Sequence, residues 1–525
     1  MPADPQKPTT AWKLRNALKP PFTLDLVWLV VPFALALICF GLLPLRSWDY
    51  WWHITMGRLI HYWGAVPAAN HFLYTMEADA PSFVQPWLSQ WALFWLHDTG
   101  GLQLALLARN LLAAVVFGWV GLWTMKRSGS AMRGAVLTLV GFLIAFQLIA
   151  ARTHMFVWPL FVLLVWLGTR VRTRRAPLWL LVLFPAAAAL WANLHGSFFV
   201  VGAIALAFGA AAGLDRYTGA HEFSATRVFA WTATFAASLA APLINPRGSE
   251  IYGYVFDLMT NAEIQSTVTE WMPTTFTNPA GIGIVFYLVL AAGAFLFWRA
   301  RDELDAADVL LFAGFAIVAA FSARGLMWFG LAAPITLAPY LSLDEAGRQD
   351  ARQDTPPMVL RVVNLLIALA LLAAGILLQP GTTWHRDIVT TYQPIPVRTR
   401  APLAGLVTAE TPVAHTELLR KYRKGLHIFH DQKYAGFLTF HLTDANPQQL
   451  VFVDQRIELP PQDVWRLYET VIDTPAWRGV FQQFEIDAAV LSLERQAPLV
   501  ERIRASDDWA NVYEDEHNIL FVRRD

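Results

Sequence analysis

The segment that organises this chain, residues 47–97, reads SWDYWWHITMGRLIHYWGAVPAANHFLYTMEADAPSFVQPWLSQWALFWLH and lies between two hydrophobic stretches. Its Trp, Tyr and Phe content is unusual for a solvated loop, because such side chains settle where one end is apolar and the other is wet, as at a membrane surface. It also carries titratable groups: Asp49, His53, Arg58, His61, His71, Glu77 and Asp79. The segment therefore predicts a structured loop at a membrane surface, suited to chemistry on a lipid-borne substrate.

The bulk composition indicates a polytopic α-helical membrane protein. The 525 residues are 56% hydrophobic and only 15% charged, and the mean hydropathy is +0.40; soluble domains are nearer about 25% charged. The formal net charge is zero, which gives no case for nucleic acid as a partner. Cys39 is the only cysteine, which excludes an intrachain disulfide and a cysteine metal cluster.

The basic residues set the predicted topology. Lys7, Lys13, Arg15 and Lys19 precede the first hydrophobic stretch, which places the N-terminus in the cytoplasm by the positive-inside rule. Further basic clusters at 126–133, 170–175 and 299–301 mark inner loops, so longer apolar runs between them must cross and return. This reasoning gives about eleven spans, near residues 23–45, 102–124, 134–168 (two), 178–213 (two), 228–244, 282–298, 307–321, 327–341 and 359–378.

An odd number of spans places the C-terminal part outside. We expect a transmembrane domain over residues 1–378 with a large outer loop at 46–100, an extended proline-bearing linker at 379–402, and an outer α/β domain at 403–525. Predicted strands lie at 425–429, 450–454, 488–493 and 519–522. Predicted helices lie at 413–422, 462–473, 477–484 and 497–505.

This topology gathers polar residues on the outer side of the membrane, where they are costly unless a site or pathway uses them. They are Asp49, Arg152, His154, Asn193, His195, Asn245, Arg247, Glu263, Glu270 and Arg324. Several have a plainer explanation: Arg152 and Arg324 could reach from span ends to water, Asn193 and His195 could join two helices, and Asn245-Pro246 is a turn signal. Glu270 beside Trp271 suits a site better than a scaffold. Because the predicted topology places all ten residues on the same side of the membrane, we expect them to line a single outward-facing cavity.

Sugar transfer from a lipid phosphate to a hydroxyl needs a carboxylate base and positive charge on the leaving phosphate. Asp49 is the candidate base, with His53 and Glu270 as further catalytic candidates. Substrate-binding candidates are Arg58, Arg152, His154, Asn193, His195, Asn245, Arg247 and Arg324, among which the arginines suit phosphate. No spacing marks a zinc site, and a divalent cation such as Mg²⁺ or Mn²⁺ stays an open alternative to the arginines.

Several of these residues stand in motifs that resemble bacterial integral membrane proteins of the GT-C glycosyltransferase superfamily. In the first loop they are Asp49-Tyr50-Trp51-Trp52-His53, Gly57-Arg58, Gly64-Ala65-Val66-Pro67, Phe72-Leu73-Tyr74-Thr75 and Trp87-Leu88-Ser89-Gln90. Further along they are Ala151-Arg152, Trp191 to Ser197, Asn245-Pro246, Glu270-Trp271, Tyr434 to Leu438 and Val453 to Arg456.

The resemblance implies a transferase of the bacterial inner membrane that takes a sugar from a polyprenyl-phosphate-linked donor, with Asp49 as the catalytic carboxylate and the C-terminal domain in the periplasm. The acceptor would be a glycan, a lipid or a protein. Two other classes stay open: a transporter or flippase for polyprenyl-linked glycans, and a non-catalytic protein of cell-envelope assembly. We find no internal repeat of the kind that transporters show.

Overall fold

Apolar segments in a bilayer must satisfy their backbone polar groups internally, and this chain does so with helices. The computed structural model describes residues 17–18, 22–219, 224–261, 268–277, 282–341, 357–392, 403, 405–421 and 425–524. The N-terminal lysines and Arg15, the polar inner stretch from Asp344 to Asp354, Glu263 and the end of the predicted linker lie outside these residues.

The first 378 residues form a helical bundle. Its elements are α1 (Leu24–Gly41), α2 (Asp49–Trp63), α3 (Trp87–Ser128), α4 (Ala131–Ala145), α5 (Trp158–Arg172), α6 (Leu183–Leu194), α7 (Phe199–Thr218), α8 (Ala225–Ala240), α9 (Glu250–Thr260), α10 (Ile282–Arg299), α11 (Ala306–Phe321), α12 (Leu326–Leu337) and α13 (Met358–Leu377). Every predicted span falls on one of these helices.

Within the described residues, seven helical segments are long and apolar enough to cross a membrane, and two apolar helices are shorter, at Leu178–Leu194 and Ala306–Phe321. The multi-pass helical architecture is therefore as predicted. The number eleven stays a prediction, since several of the predicted crossings, such as α12, are short.

The first outer segment ends earlier than its aromatic content indicated. Helix α3 already begins at Trp87 and runs through a kink at Gly100 and Gly101. Gly101 has φ +65°, a left-handed conformation that a side chain would disfavour. Residues 87–100 are thus the outer turns of a bent helix, and the irregular part of the segment is 64–86.

The C-terminal region combines helices with one four-stranded sheet, which agrees with the predicted α/β class. Its elements are α14 (Thr383–Tyr392), α15 (Val413–Leu419), β1 (Ile428–His430), α16 (Ala435–Leu442), α17 (Gln462–Asp473), α18 (Trp477–Gln483), β2 (Ala488–Ser492), α19 (Ala497–Arg504), β3 (Trp509–Glu514) and β4 (Asn518–Arg523). The sheet order is β1-β2-β4-β3, with β1 parallel to β2 and the other pairs antiparallel.

Three predictions for this region need correction. The linker is not extended throughout, because α14 occupies part of it. The predicted strand at 450–454 is reduced to isolated bridges, in which Val451 pairs with Leu73 and Ile428. Strand β3, which sequence patterning missed, forms a hairpin with β4.

The first outer segment and the C-terminal region share a core. The Leu450 backbone N–H donates to the Phe72 carbonyl at 2.8 Å, and the Tyr74 hydroxyl donates to the Ile428 carbonyl at 3.1 Å. One hydrophobic cluster joins both parts: Trp52, Met56, Leu59, Phe72, Leu73 and Val84 pack with Leu419, Ile428, Tyr434, Leu438 and Leu450. The C-terminal region is therefore fastened to α2 and the segment that follows it.

A buried ionic group ties the ends of α5, α7 and α11 on the side opposite α2. Arg172 donates to Asp215 at 2.6 Å and to both oxygens of Asp305 at 2.7 Å, and its side chain is only 4% exposed. A desolvated guanidinium needs such partners, since removing one member of a buried pair leaves an uncompensated charge.

We expect Arg172→Met to lower the free energy of unfolding in detergent by about 3 kcal/mol, because Asp215 would stay buried without its partner. Adding Asp215→Leu should recover much of that loss. Lys126→Met, which removes an exposed charge, is the control. Equal unfolding curves for Arg172→Met and Lys126→Met would contradict a role for the pair.

Candidate functional site

Four charged side chains from distant parts of the chain meet at one end of the helical bundle. The Nη1 atom of Arg152 donates to Oε1 and Oε2 of Glu270 at 2.8 and 3.0 Å, and its Nη2 atom pairs with Oδ2 of Asp49. The Nε atom of Arg324 donates to Oε2 of Glu270 at 3.2 Å. The structure thus brings together four residues that sequence analysis placed on one side.

Local structure fixes each of the four. Asp49 is the first residue of α2, and Arg152 lies in the turn between α4 and α5. Arg324 lies in a short 3₁₀ turn between α11 and α12. Two backbone hydrogen bonds join the Glu270 loop to that turn. The Arg324 N–H donates to the Glu270 carbonyl at 3.0 Å, and the Ala323 N–H donates to the Met272 carbonyl at 2.9 Å.

An aromatic ring also holds the Arg324 side chain in position. Its guanidinium lies over the ring of Trp271, 4.3 Å from the centroid. A guanidinium stacked on an indole is held flat and is stabilised electrostatically. Trp271 therefore orients Arg324, while the carboxylate next to it in sequence pairs with the same side chain.

The cluster is reached by water. The side chains of Asp49, Arg152, Glu270 and Arg324 are between 21% and 35% exposed, although they come from four separate segments. Burial by itself would raise the pKa of the Glu270 carboxyl, but Arg152 and Arg324 outweigh it and lower that pKa to about 2. Glu270 is therefore ionised at neutral pH, and two negative charges face two positive charges.

Two sets of atoms in the cluster stay open to a ligand. In the part of the chain that the structure describes, Oδ1 of Asp49 accepts no hydrogen bond, and Nη1 and Nη2 of Arg324 donate none. A carboxylate oxygen and a pair of guanidinium nitrogens thus lie in the same partly exposed cluster. The carboxylate can accept a proton, and the guanidinium can bind an anion.

Three histidines border the cluster, as the sequence indicated. Burial, with help from nearby positive charge, lowers the pKa of His53 well below its usual value, and burial together with His154 does the same for His195. His154 donates from Nε2 to the Leu148 carbonyl at 2.6 Å, and its ring centroid is 5.9 Å from that of His195. His53 and His195 are therefore neutral at pH 7.

Asn193 and Asn245 have their hydrogen bonds committed to protein. Asn193 donates to the Ile244 carbonyl at 2.7 Å, and its Oδ1 accepts from Trp87 at 2.6 Å and from Asn245 at 3.2 Å. These contacts close the turn after α8 onto α6. The turn and helix-pair explanations given above account for both residues.

Arg58 and Arg247 lie in other contacts. Arg58 donates to the Phe440 carbonyl and to Thr443 Oγ1, both at 3.0 Å, and so holds α16 of the C-terminal region. Arg247 donates to the Ser82 carbonyl at 2.8 Å and lies over the Phe83 ring. Their substrate-binding role stays a prediction, to which these contacts add no support.

Sequence reasoning did not single out two residues at the edge of the cavity. The Tyr254 hydroxyl, on α9, donates to Oε1 of Glu458 at 2.9 Å, and Arg324 lies within electrostatic reach of Tyr254. Glu458 follows the Asp454-Gln455-Arg456 motif by two residues, which was the available signal. This pair brings the C-terminal region to the cavity rim.

Comparison with known proteins gives a likeness in structure. No protein-family model and no curated protein matches the chain. A solved structure of the oligosaccharyltransferase of Archaeoglobus fulgidus, tethered to an acceptor peptide containing the NVT sequon, matches with a TM-score of 0.51 at 12% identity, over 97% of this chain and 75% of that one.

Two other structures of the same archaeal enzyme are less similar. AglB in complex with an inhibitory peptide and a dolichol-phosphate has a TM-score of 0.45 at 13% identity, over 90% of this chain and 69% of that one. The complex with Zn and sulfate has a TM-score of 0.48 at 12% identity, over 95% and 73%.

The first of these similarities shows the fold. The chain has an oligosaccharyltransferase-like membrane fold, a helical bundle followed by an α/β region. The prediction of a helical membrane fold followed by a C-terminal α/β region is thereby confirmed, while the number of spans stays a prediction.

The lowered pKa of Glu270 predicts a pH dependence of stability. A carboxyl whose folded-state pKa lies below its unfolded value of about 4.3 stabilises the fold above that value and loses the effect as pH falls towards the folded pKa. We expect Glu270→Gln to lower the thermal midpoint of the detergent-solubilised protein by an amount that is constant above about pH 5. The difference should shrink between about pH 4 and pH 2.

Glu77→Gln, which removes an exposed carboxylate of the first outer segment, is the matched control and should leave the midpoint unchanged. A Glu270→Gln difference that persists undiminished to pH 2 would contradict an ionic role for this residue.

Proposed function

We propose that the chain is a membrane glycosyltransferase that moves a sugar from a lipid-phosphate-linked donor to an acceptor hydroxyl or amide at the outer face of the membrane. The observation that carries this proposal is the presence, in one partly exposed ionic cluster, of an open carboxylate oxygen on Asp49 and open guanidinium nitrogens on Arg324. The fold similarity to an oligosaccharyltransferase supports it.

Asp49 is the proposed general base. Its Oδ1 takes the proton of the acceptor group as the acceptor atom bonds to the anomeric carbon of the donor sugar. The bond between that carbon and the phosphate oxygen breaks, and the electron pair leaves with the phosphate. Arg152, on the other oxygen of Asp49, keeps this carboxylate oriented.

Arg324 is the proposed binding group for the leaving phosphate. Two nitrogens on a planar fork match two phosphate oxygens, and stacking on Trp271 fixes the plane of that fork. Charge that develops on the phosphate is then met by a cation already in place, which costs no rearrangement during the reaction.

The lipid carrier follows from where the cavity lies and from the resemblance of the motifs. The cluster sits at the ends of apolar helices, where a lipid-borne phosphate would be held at headgroup level. A polyprenyl phosphate as carrier, the bacterial inner membrane as location and a periplasmic C-terminal region are part of this proposal. The glycan, lipid or protein acceptor would approach from the side of that region.

Asp49→Asn tests the base. Removal of one charge with little change in shape should lower sugar transfer by on the order of a hundredfold or more, because the amide cannot accept the proton. The measurement compares lipid-linked sugar consumption and surface glycan in cells with equal membrane levels of each protein. Glycan should be lost and the lipid-linked donor should accumulate.

Asp79→Asn removes an exposed carboxylate of the same outer segment and serves as the control. If Asp49→Asn transfers sugar as the unchanged protein does, Asp49 is not the base. If both proteins carry labelled lipid across vesicle membranes without consuming it, the chain is a transporter.

Arg324→Gln tests the phosphate site. Loss of both open nitrogens should lower transfer by on the order of a hundredfold and raise the donor concentration needed for half-maximal rate. Arg324→Lys should recover only part of the rate, since one ammonium cannot both pair with Glu270 and present two nitrogens to phosphate. A full recovery with lysine would contradict two-point binding.

A further inference from the structure

Arg152 stands where a metal ion would be expected to stand. A divalent cation that assists phosphate departure is held by carboxylates, and Asp49 and Glu270 are two carboxylates that converge on Arg152. The Arg152 guanidinium lies between them, with one terminal nitrogen on Asp49 and the other on both oxygens of Glu270. The space between the two carboxylates is therefore filled by the Arg152 side chain.

The space does not admit an ion as well. Mg²⁺ and Ca²⁺ take oxygen ligands at about 2.0 to 2.6 Å, so an ion between these carboxylates would overlap the guanidinium. Within the described part of the chain, no group of three or more His, Cys, Asp or Glu side chains is arranged to hold a metal. The donor set therefore does not fit a divalent cation while Arg152 is in place.

The nearby histidines do not complete a site. His195 accepts at Nδ1 from the Ser197 backbone N–H at 3.2 Å, and His154 directs Nε2 at the Leu148 carbonyl at 2.6 Å. Each imidazole thus has one ring nitrogen engaged with protein, and its orientation is set by that contact rather than by a metal.

Arg152 is held in position by its backbone as well as by its charge. Its N–H donates to the Ala150 carbonyl at 2.9 Å and its carbonyl accepts from Met155 at 3.1 Å, while Ala151 and Thr153 on either side are buried. Asp49 and Glu270 raise the pKa of the guanidinium against the opposing effect of burial, so it is a permanent cation.

We propose that Arg152 replaces a divalent metal ion in this cavity: it supplies the fixed positive charge between Asp49 and Glu270, and the site operates without divalent cations. Arg152 is then a bridge that holds the two carboxylates in place, and Arg324 alone presents open nitrogens to the phosphate. The part of this proposal that concerns activity rests on the proposed transferase function, but the part that concerns metal binding does not.

The first test measures Mn²⁺ binding to the purified full-length protein in detergent by electron paramagnetic resonance. The unchanged protein should show no tightly bound Mn²⁺, and Arg152→Ala, which vacates the space between the carboxylates, should gain one site with at least tenfold higher affinity. The gain should disappear in Arg152→Ala combined with Asp49→Asn. Arg478→Ala removes one exposed positive charge elsewhere and should gain nothing.

Two results would overturn the proposal. One is a Mn²⁺ site in the unchanged protein that Asp49→Asn removes. The other is a folded Arg152→Ala protein that gains no site, because the two carboxylates would then not be a metal position that arginine occupies. If the alanine protein does not fold, Arg152→Ser provides a second variant. Serine vacates nearly the same space as alanine, and its hydroxyl can form hydrogen bonds there.

The second test measures sugar transfer in membranes treated with EDTA, before and after Mg²⁺ or Mn²⁺ is added back. Rates should agree within about twofold. Loss with EDTA and recovery with either ion would overturn metal independence. If no condition gives any transfer, the proposed function fails, while the Mn²⁺ result still decides whether Arg152 holds a metal position.

Discussion

The guanidinium of Arg152 joins Asp49 at the start of α2 to Glu270 in a loop more than two hundred residues later, and the cavity depends on this bridge. Without the bridge, two carboxylates would face one another across partly desolvated space and repel. With it, a segment of α2, the turn before α5 and the loop before α10 share one electrostatic centre. Arg324, stacked on Trp271, adds a second cation to that centre.

The fold around this bridge is built to keep it in place. The Glu270 loop is fixed by backbone hydrogen bonds to the turn that carries Arg324, and Asn193 and Asn245 close the neighbouring turn. A carboxylate that is both paired and backbone-anchored loses little freedom on binding substrate, which is the physical content of preorganisation. The ionic group around Arg172 does a comparable job at the other ends of the helices.

Much of this could be read from the sequence, for identifiable reasons. Spans follow from runs of apolar residues, and the side on which Asp49, Arg152, Glu270 and Arg324 gather follows from the parity of those spans. The number of spans does not indicate which of these four side chains are in contact. Sequence analysis assigned Arg152 to phosphate together with Arg324, whereas the structure commits Arg152 to two carboxylates and leaves Arg324 open. Long-range partners are equally hidden from the sequence: Val451 pairs with Leu73 instead of forming a strand, and Arg58 donates to the Phe440 carbonyl.

The shared core between the first outer segment and the C-terminal region has a consequence for biogenesis. Arg58 and the Phe440 carbonyl that it binds are 382 residues apart, so the ribosome makes nearly the whole chain before this contact can form. Until then Trp52, Leu59, Phe72 and Leu73 lack the residues that cover them. The apolar surface of this segment therefore stays exposed while the bundle is inserted. A truncated chain that ends before the sheet would expose that surface permanently, which would make an incomplete chain recognisable.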